Sequence, residues 1–158
     1  MSAIAIHLPD EHATEALGAR LARALHGHAG GVVYLNGTLG AGKTTLVRGW
    51  LRALGVTGSI RSPTYTLIEP YLIDGRDWLH LDLYRLKSPD ELDGLGLDDH
   101  SPTRCWWLVE WPECGVGHLP PPSLIIDLCA EDGARLAVID TMALGEAFET
   151  ALQNPAAT

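Results

Sequence analysis

Gly37-Thr38-Leu39-Gly40-Ala41-Gly42-Lys43-Thr44 fits G-x-x-x-x-G-K-[ST], and this stretch constrains the fold more than any other in the chain. A loop that wraps a polyphosphate needs a strand to deliver it and a helix to receive it. Glycines let successive backbone N–H groups turn inward as an anion nest, Lys43 adds a mobile positive charge, and the Thr44 hydroxyl can join the shell of a Mg²⁺ ion. The flanks supply both neighbours. Residues 30–36 form a β-rich apolar run that reads as a buried strand. Residues 43–54 read as a helix with Leu46, Val47, Trp50, Leu51 and Leu54 on one face and Gly55 at its C-terminal cap. In that order the helix dipole points at a phosphate, so the chain reads as a nucleotide binder.

The remaining segments predict an α/β fold. Residues 3–8 suggest a short strand, and Ala13, Leu17, Leu21, Ala24 and Leu25 keep helical spacing up to Gly27. Residues 65–73 and 78–84 are β-rich runs about Asp74-Gly75, a hairpin signal, and 123–130 with 135–140 pair about Asp132-Gly133. Ser88-Pro89-Asp90-Glu91 carries helix-start signals, although Gly94 and Gly96 keep that helix short. Residues 105–110 are a dense apolar run ending in an acid, and 144–152 suggest a closing helix. The expected architecture is a single P-loop domain over residues 1–158, with a disordered tail after about residue 153. It has a mostly parallel central sheet, antiparallel hairpin additions and helices on both faces.

Charge and cysteine usage narrow the function classes. With 11 basic against 20 acidic residues the net charge is −9, which argues against tight autonomous binding to tRNA or DNA. Arg48, Arg52 and Arg61 lie near the loop in sequence and read as solvated side chains, with a local basic patch as the alternative. Cys105, Cys114 and Cys129 form an odd set without C-x-x-C spacing, so neither a zinc site nor a disulfide frame is expected. No stretch is apolar enough to span a bilayer, the first eight residues lack the basic lead of a signal peptide, and a cytoplasmic location is the simplest expectation.

A phosphate loop needs carboxylates to hold Mg²⁺ and to position a nucleophile. Trp106-Trp107-Leu108-Val109-Glu110 has the form of a buried strand with an acid at its tip, so Glu110 is the expected metal ligand; a surface glutamate at a strand end is the alternative. In Leu79-His80-Leu81-Asp82-Leu83-Tyr84 the leucines share one face, while His80, Asp82 and Tyr84 share the other. That second face either meets water or lines a site, and Asp82 could then orient a water or a metal-bound ligand. His80 fits a hydrogen-bonded structural histidine better than a base. Of the three nearby tryptophans, two belong in the core, and Trp111 is the one placed to line a nucleotide or a partner. Ser62, Pro63 and Thr64 stand where a loop could sense a terminal phosphate, or form a plain turn.

Four linked segments resemble the TsaE (YjeE) family of small bacterial ATPases: residues 37–45, Ser62-Pro63-Thr64-Tyr65-Thr66-Leu67, His80-Leu81-Asp82-Leu83-Tyr84-Arg85-Leu86, and Leu108-Val109-Glu110-Trp111-Pro112-Glu113. Leu8-Pro9-Asp10-Glu11 and residues 91–98 are similar as well, so the likeness runs from about Leu8 to the Pro120 region. The resemblance implies a P-loop α/β sheet, binding of ATP with Mg²⁺, and weak hydrolysis by the protein alone. It implies action on a TsaB–TsaD heterodimer, in which TsaD transfers a threonylcarbamoyl group to adenosine 37 of tRNA. ATP turnover by the TsaE partner then resets the complex, and tRNA is met only through that complex.

By position, the resemblance implies that Lys43 contacts phosphate and acts in catalysis with Asp82, while Thr44 and Glu110 hold the metal. Gly37, Gly40, Ala41, Gly42, Lys43, Thr44 and Thr45 would bind the nucleotide, with Glu11 and Glu113 near it. Two departures stand out: Thr38 occupies a position where the family usually has aspartate, and residues 100–107 diverge from the common pattern. The competing classes are a small-molecule or nucleoside kinase, which would need an arginine-bearing lid, and a nucleotide-sensing scaffold with little hydrolysis. No N-K-x-D signature stands near the expected strand, which favours ATP over GTP.

Overall fold

Every strand among the described residues joins one seven-stranded sheet, ordered β1-β7-β6-β2-β5-β4-β3, in a computed structural model that describes residues 3–142 and 144–154. The strands are β1 (Ala3–Leu8), β2 (Gly31–Asn36), β3 (Ile68–Ile73), β4 (Arg76–Asp82), β5 (Trp106–Glu110), β6 (Leu124–Glu131) and β7 (Ala134–Asp140). The four inner strands β6, β2, β5 and β4 run parallel, and β3, β7 and β1 add on antiparallel. Both Asp-Gly pairs make the tight turns their composition predicts. Asp74 (φ 51°) with Gly75 (φ 77°) joins β3 to β4, and Asp132 (φ 43°) with Gly133 (φ 82°) joins β6 to β7. The tail at residues 155–158 lies outside the described residues.

Helices α1 (Glu11–Ala24), α2 (Lys43–Ala53) and α3 (Gly145–Gln153) cover one face of the sheet. Their buried side chains, among them Leu17, Leu21, Leu46, Trp50 and Phe148, meet Val33, Leu35, Trp106, Leu108 and Ile126 in the larger core cluster. Trp78 stacks on Trp106 at 6.1 Å between ring centroids, and Trp50 meets Trp78 edge-on at 6.4 Å. The opposite face has a second cluster, in which Val32, Leu79, Leu81, Trp107 and Val109 lie against Leu83 and Leu92. Among the described residues, helical structure covers this face only as 3-10 turns, at Pro89–Gly94, Leu97–Asp99 and Pro112–Gly115. Gly94 and Gly96 therefore limit the first of these more severely than a short α-helix would suggest.

Three strand boundaries differ from the sequence expectation by two residues or more, one being the start of β4, which reaches back to Arg76. Residues 65–67 turn instead of extending β3, with Leu67 at φ 69°, and β4 stops at Asp82, where the Leu83 N–H donates to the Glu110 carbonyl. The divergent segment before β5 leaves its register intact: Trp106 pairs with Gly31 on one side and Trp78 on the other. All three cysteines are free, and among the described residues no helix is long and apolar enough to cross a membrane.

What places α2 is its contact with α1. A Cβ on Gly49 would lie 2.0 Å from the Glu15 carbonyl oxygen, and one on Gly18 would lie 2.1 Å from that of Leu46. The two glycines let the backbones touch, so α2 is fixed by its neighbour as well as by the sheet. Helix propensity alone favours alanine over glycine by up to ~1 kcal/mol. Gly49→Ala should nevertheless destabilise the fold by about 1–3 kcal/mol through overpacking, measured by urea unfolding. A neutral or stabilising result would refute the close-packed account.

Candidate functional site

The C-terminal ends of β2, β4 and β5 open into a cleft of about 670 Å³, a size suited to a small organic ligand. Gly40, Ala41, Gly42, Lys43, Thr44 and Thr45 form one wall, Asp82 and Glu110 the floor, and Pro9, Asp10, Glu11 and Thr14 the start of α1. Gly40 (φ 77°) and Gly42 (φ 107°) hold the left-handed conformations that let the loop curl. Helix α2 begins at Gly42 with no side-chain cap and no acid in its first turn, leaving its positive end for a ligand's charge. Asp10 caps α1, accepting from the Ala13 N–H at 2.7 Å. Gly37 stands behind the cleft, where a Cβ would come 2.8 Å from the Leu128 carbonyl oxygen.

Lys43 is buried. Its Nζ donates to the carbonyls of Gly37 and Thr38, the latter at 3.2 Å, and lies 3.6 Å from the centroid of the Trp111 ring. Burial pushes its pKa below the ordinary lysine value, against the opposing pull of Glu110, Glu113 and Asp82. Thr38 acts here through its main chain, so its side-chain departure leaves the Lys43 contact intact. Trp111 also meets Tyr84, with centroids 4.9 Å apart.

The face of β4 that bears His80 and Asp82 is the one on which Trp78 meets α2, and Glu110 follows Trp106 and Leu108 on the same face of β5. The alternation in β4 therefore lines a site. Glu110 Oε1 accepts from the Thr44 hydroxyl at 2.9 Å, and Oε2 lies 3.1 Å from that hydroxyl, 2.6 Å from His80 Nε2 and 3.3 Å from Ser62 Oγ. Asp82 Oδ2 accepts from the hydroxyls of Ser62 and Thr64, the latter at 3.2 Å, while Oδ1 accepts from the Tyr84 N–H at 3.0 Å. A carboxylate offers about four acceptor positions, so Asp82 keeps one for a further donor. Thr44 and Glu110 present hard oxygen donors, which suit Mg²⁺. Among the described residues no group of three or more His, Cys, Asp or Glu side chains could hold a metal ion, so a cation here needs oxygens from its ligand as well.

The two outer acids take different places. Glu11 lines the cleft but turns its exposed carboxylate to Arg48 at 3.4 Å. Glu113 is exposed and stands outside the cleft wall, reaching the site only through its charge on Lys43. Sequence reasoning missed Arg135. Its Nε donates to the Ala41 carbonyl at 2.8 Å and its Nη2 to that of Gly40 at 2.9 Å, which turns the loop's carbonyls away from its amides. No local pattern marks it; only the pairing of β7 with β6 carries it there.

A family model described as Threonylcarbamoyl adenosine biosynthesis protein TsaE matches residues 8–137. The chain is 40% identical over 158 residues to the tRNA threonylcarbamoyladenosine biosynthesis protein TsaE of Haemophilus influenzae, covering 98% of this chain and 100% of the relative. It is 42% identical to the protein of that name in Streptomyces coelicolor, covering 85% of this chain and 93% of the relative. Among solved structures, Bacillus subtilis YdiB superposes with a TM-score of 0.73 at 30% identity, over 97% of this chain and 93% of that one.

Because two charge-assisted bonds from Arg135 shape the loop, Arg135→Met should weaken the loop's hold on a phosphate-bearing probe such as ADP by about tenfold, given ~1.5–3 kcal/mol for such a bond. Calorimetric titration checks this. An unchanged affinity would mean the loop holds its form without the guanidinium.

Proposed function

The chain belongs to the TsaE family, and we propose that it serves tRNA threonylcarbamoyladenosine biosynthesis as a cytoplasmic, Mg²⁺-dependent ATPase. In this reading it acts on a TsaB–TsaD heterodimer, with ATP turnover resetting that complex between cycles. It does not transfer the threonylcarbamoyl group itself, and it meets tRNA only through the complex. One observation carries the nucleotide reading: Thr44, at the first turn of the uncapped α2, meets the buried Glu110 carboxylate across 66 residues of chain at 2.9 Å.

In this reading the amides of residues 40–45 and the Lys43 ammonium bind the phosphates, and the Thr44 hydroxyl and the Glu110 carboxylate hold the cation. A Mg²⁺ ion held there would neutralise phosphate charge. Asp82 uses its remaining acceptor position to hold a water's proton, and the hydroxyls of Ser62 and Thr64 fix its rotamer. Lys43 exchanges the carbonyls of Gly37 and Thr38 for phosphate oxygens, which relieves the cost of its burial.

Slow turnover by the protein alone follows from where the cleft's arginines are engaged. Arg135 is committed to the loop carbonyls, and the Arg85 guanidinium lies 4.5 Å over the Tyr65 ring. Neither is dedicated to the charge that develops at the γ-phosphate. An arginine supplied in trans can add about 10³–10⁵ to such a rate, which gives a protein partner a chemical task. The net charge of −9 favours an acidic protein that reaches tRNA through others.

Two outcomes are expected. Lys43→Ala should weaken ATP binding at least about tenfold by calorimetry, since a charged hydrogen bond to phosphate contributes ~1.5–3 kcal/mol; wild-type affinity would contradict the site assignment. Saturating TsaB–TsaD with substrate tRNA should raise phosphate release well above that of the protein alone. A flat rate would instead favour a kinase or a non-hydrolysing sensor.

A further inference from the structure

His80 lies at the centre of β4 with none of its surface exposed, on the cleft side of the sheet. In the register of β4 and β5 it stands opposite Leu108, so Glu110 is its diagonal neighbour two residues further along the adjacent strand. The ring reaches that carboxylate through Nε2, 2.6 Å from Oε2. A carboxylate only accepts, so this contact places a proton on Nε2. The other ring nitrogen, Nδ1, is buried without a partner among the described residues. A side chain kept only to fill this volume would be better as leucine or phenylalanine, neither of which strands a polar atom. The Nε2 contact is the feature that distinguishes histidine here.

From this geometry we propose that His80 is a positioning residue that holds the Glu110 carboxylate in the orientation in which it and Thr44 take a divalent cation. The proposal rests on the assignment of Thr44 and Glu110 to the cation. The other donors to Oε2 are weaker anchors. Thr44 would turn its hydroxyl oxygen to the cation, and the single Ser62 proton is already given to Asp82 with only a 3.3 Å reach to Glu110. His80 alone among them needs no rearrangement when a nucleotide arrives. Losing a hydrogen bond to a ligating group from the layer behind it typically costs about 10–100-fold in metal affinity.

Two measurements on the full chain test this. In the unliganded protein, ¹⁵N–¹H NMR of the ring should place the His80 proton on Nε2; a ring protonated only on Nδ1 would overturn the proposal. In the ADP complex, Mn²⁺ titration followed by EPR should show His80→Phe weakening the cation by about tenfold or more, with metal-free ADP affinity changed less than about twofold. His80→Gln should restore most of the cation affinity, because its amide nitrogen can reach the place of Nε2. His80→Asn, whose amide falls nearer Nδ1, should not, and this pair decides the matter if the phenylalanine variant fails to fold. Equal Mn²⁺ affinity in the glutamine and asparagine variants, or wild-type affinity in His80→Phe, would sink the proposal. Glu110→Ala separates the two levels. Lost Mn²⁺ affinity in that variant beside an unaffected His80→Phe overturns the role of His80 alone. Wild-type affinity in both removes the cation assignment beneath it.

Discussion

One buried carboxylate organises the working end of this molecule. Glu110 sits at the tip of β5 with almost no exposed surface, and three separate pieces of chain converge on it: Thr44 from α2, His80 from β4 and Ser62 from the turn before β3. A buried carboxylate is costly unless its oxygens are satisfied. Here the groups that satisfy it come from the start of α2, from β4 and from the turn before β3, so the same contacts stabilise the ion and align the candidate site. The arrangement is possible because β5 is central, paired in parallel with β2 and β4, which brings the loop after β2 and the end of β4 to the same edge.

Rigidity behind that edge comes from the packing of α1 against α2. Without side chains at Gly18 and Gly49 the two helices approach to backbone contact, and the aromatic stack of Trp50, Trp78 and Trp106 fills the space beneath α2. This leaves α2 little freedom to tilt. The N-terminus of α1 is thereby brought beside the phosphate loop, where Pro9, Asp10, Glu11 and Thr14 complete the cleft wall. Packing on the far face is lighter, made by 3-10 turns, and the candidate cleft does not open on it.

Much of this was legible in the sequence because it rests on short-range rules. The phosphate loop carries its own spacing, the Asp-Gly pairs dictate their turns, and the alternation in residues 79–84 puts His80 and Asp82 on one face. Whether that face met water or a site could not be read locally, since the answer depends on α2 lying over it. Arg135 was invisible for the same kind of reason: its two acceptors are 94 and 95 residues away, joined only by the pairing of β6 with β2 and β7. Glu113 is placed by the 3-10 turn after Trp111: it stands outside the cleft wall, yet close enough for its charge to act on Lys43.

Trp111 shows what the geometry of Glu110 costs its neighbour. The residue adopts a left-handed conformation, φ 58° and ψ 50°, which costs a non-glycine side chain roughly 1–2 kcal/mol. The chain must leave β5 immediately after Glu110 if that carboxylate is to end the strand, and Pro112, which has no N–H to pair, forbids its continuing. The strained turn puts the indole over the Lys43 ammonium and against Tyr84. Attraction between a cation and an aromatic face is worth about 0.5–2 kcal/mol, comparable with the strain it offsets. Lys43 is thus held desolvated and oriented by two carbonyls and a ring. The strained backbone at Trp111 and the buried acid at Glu110 are two consequences of ending one strand at one residue.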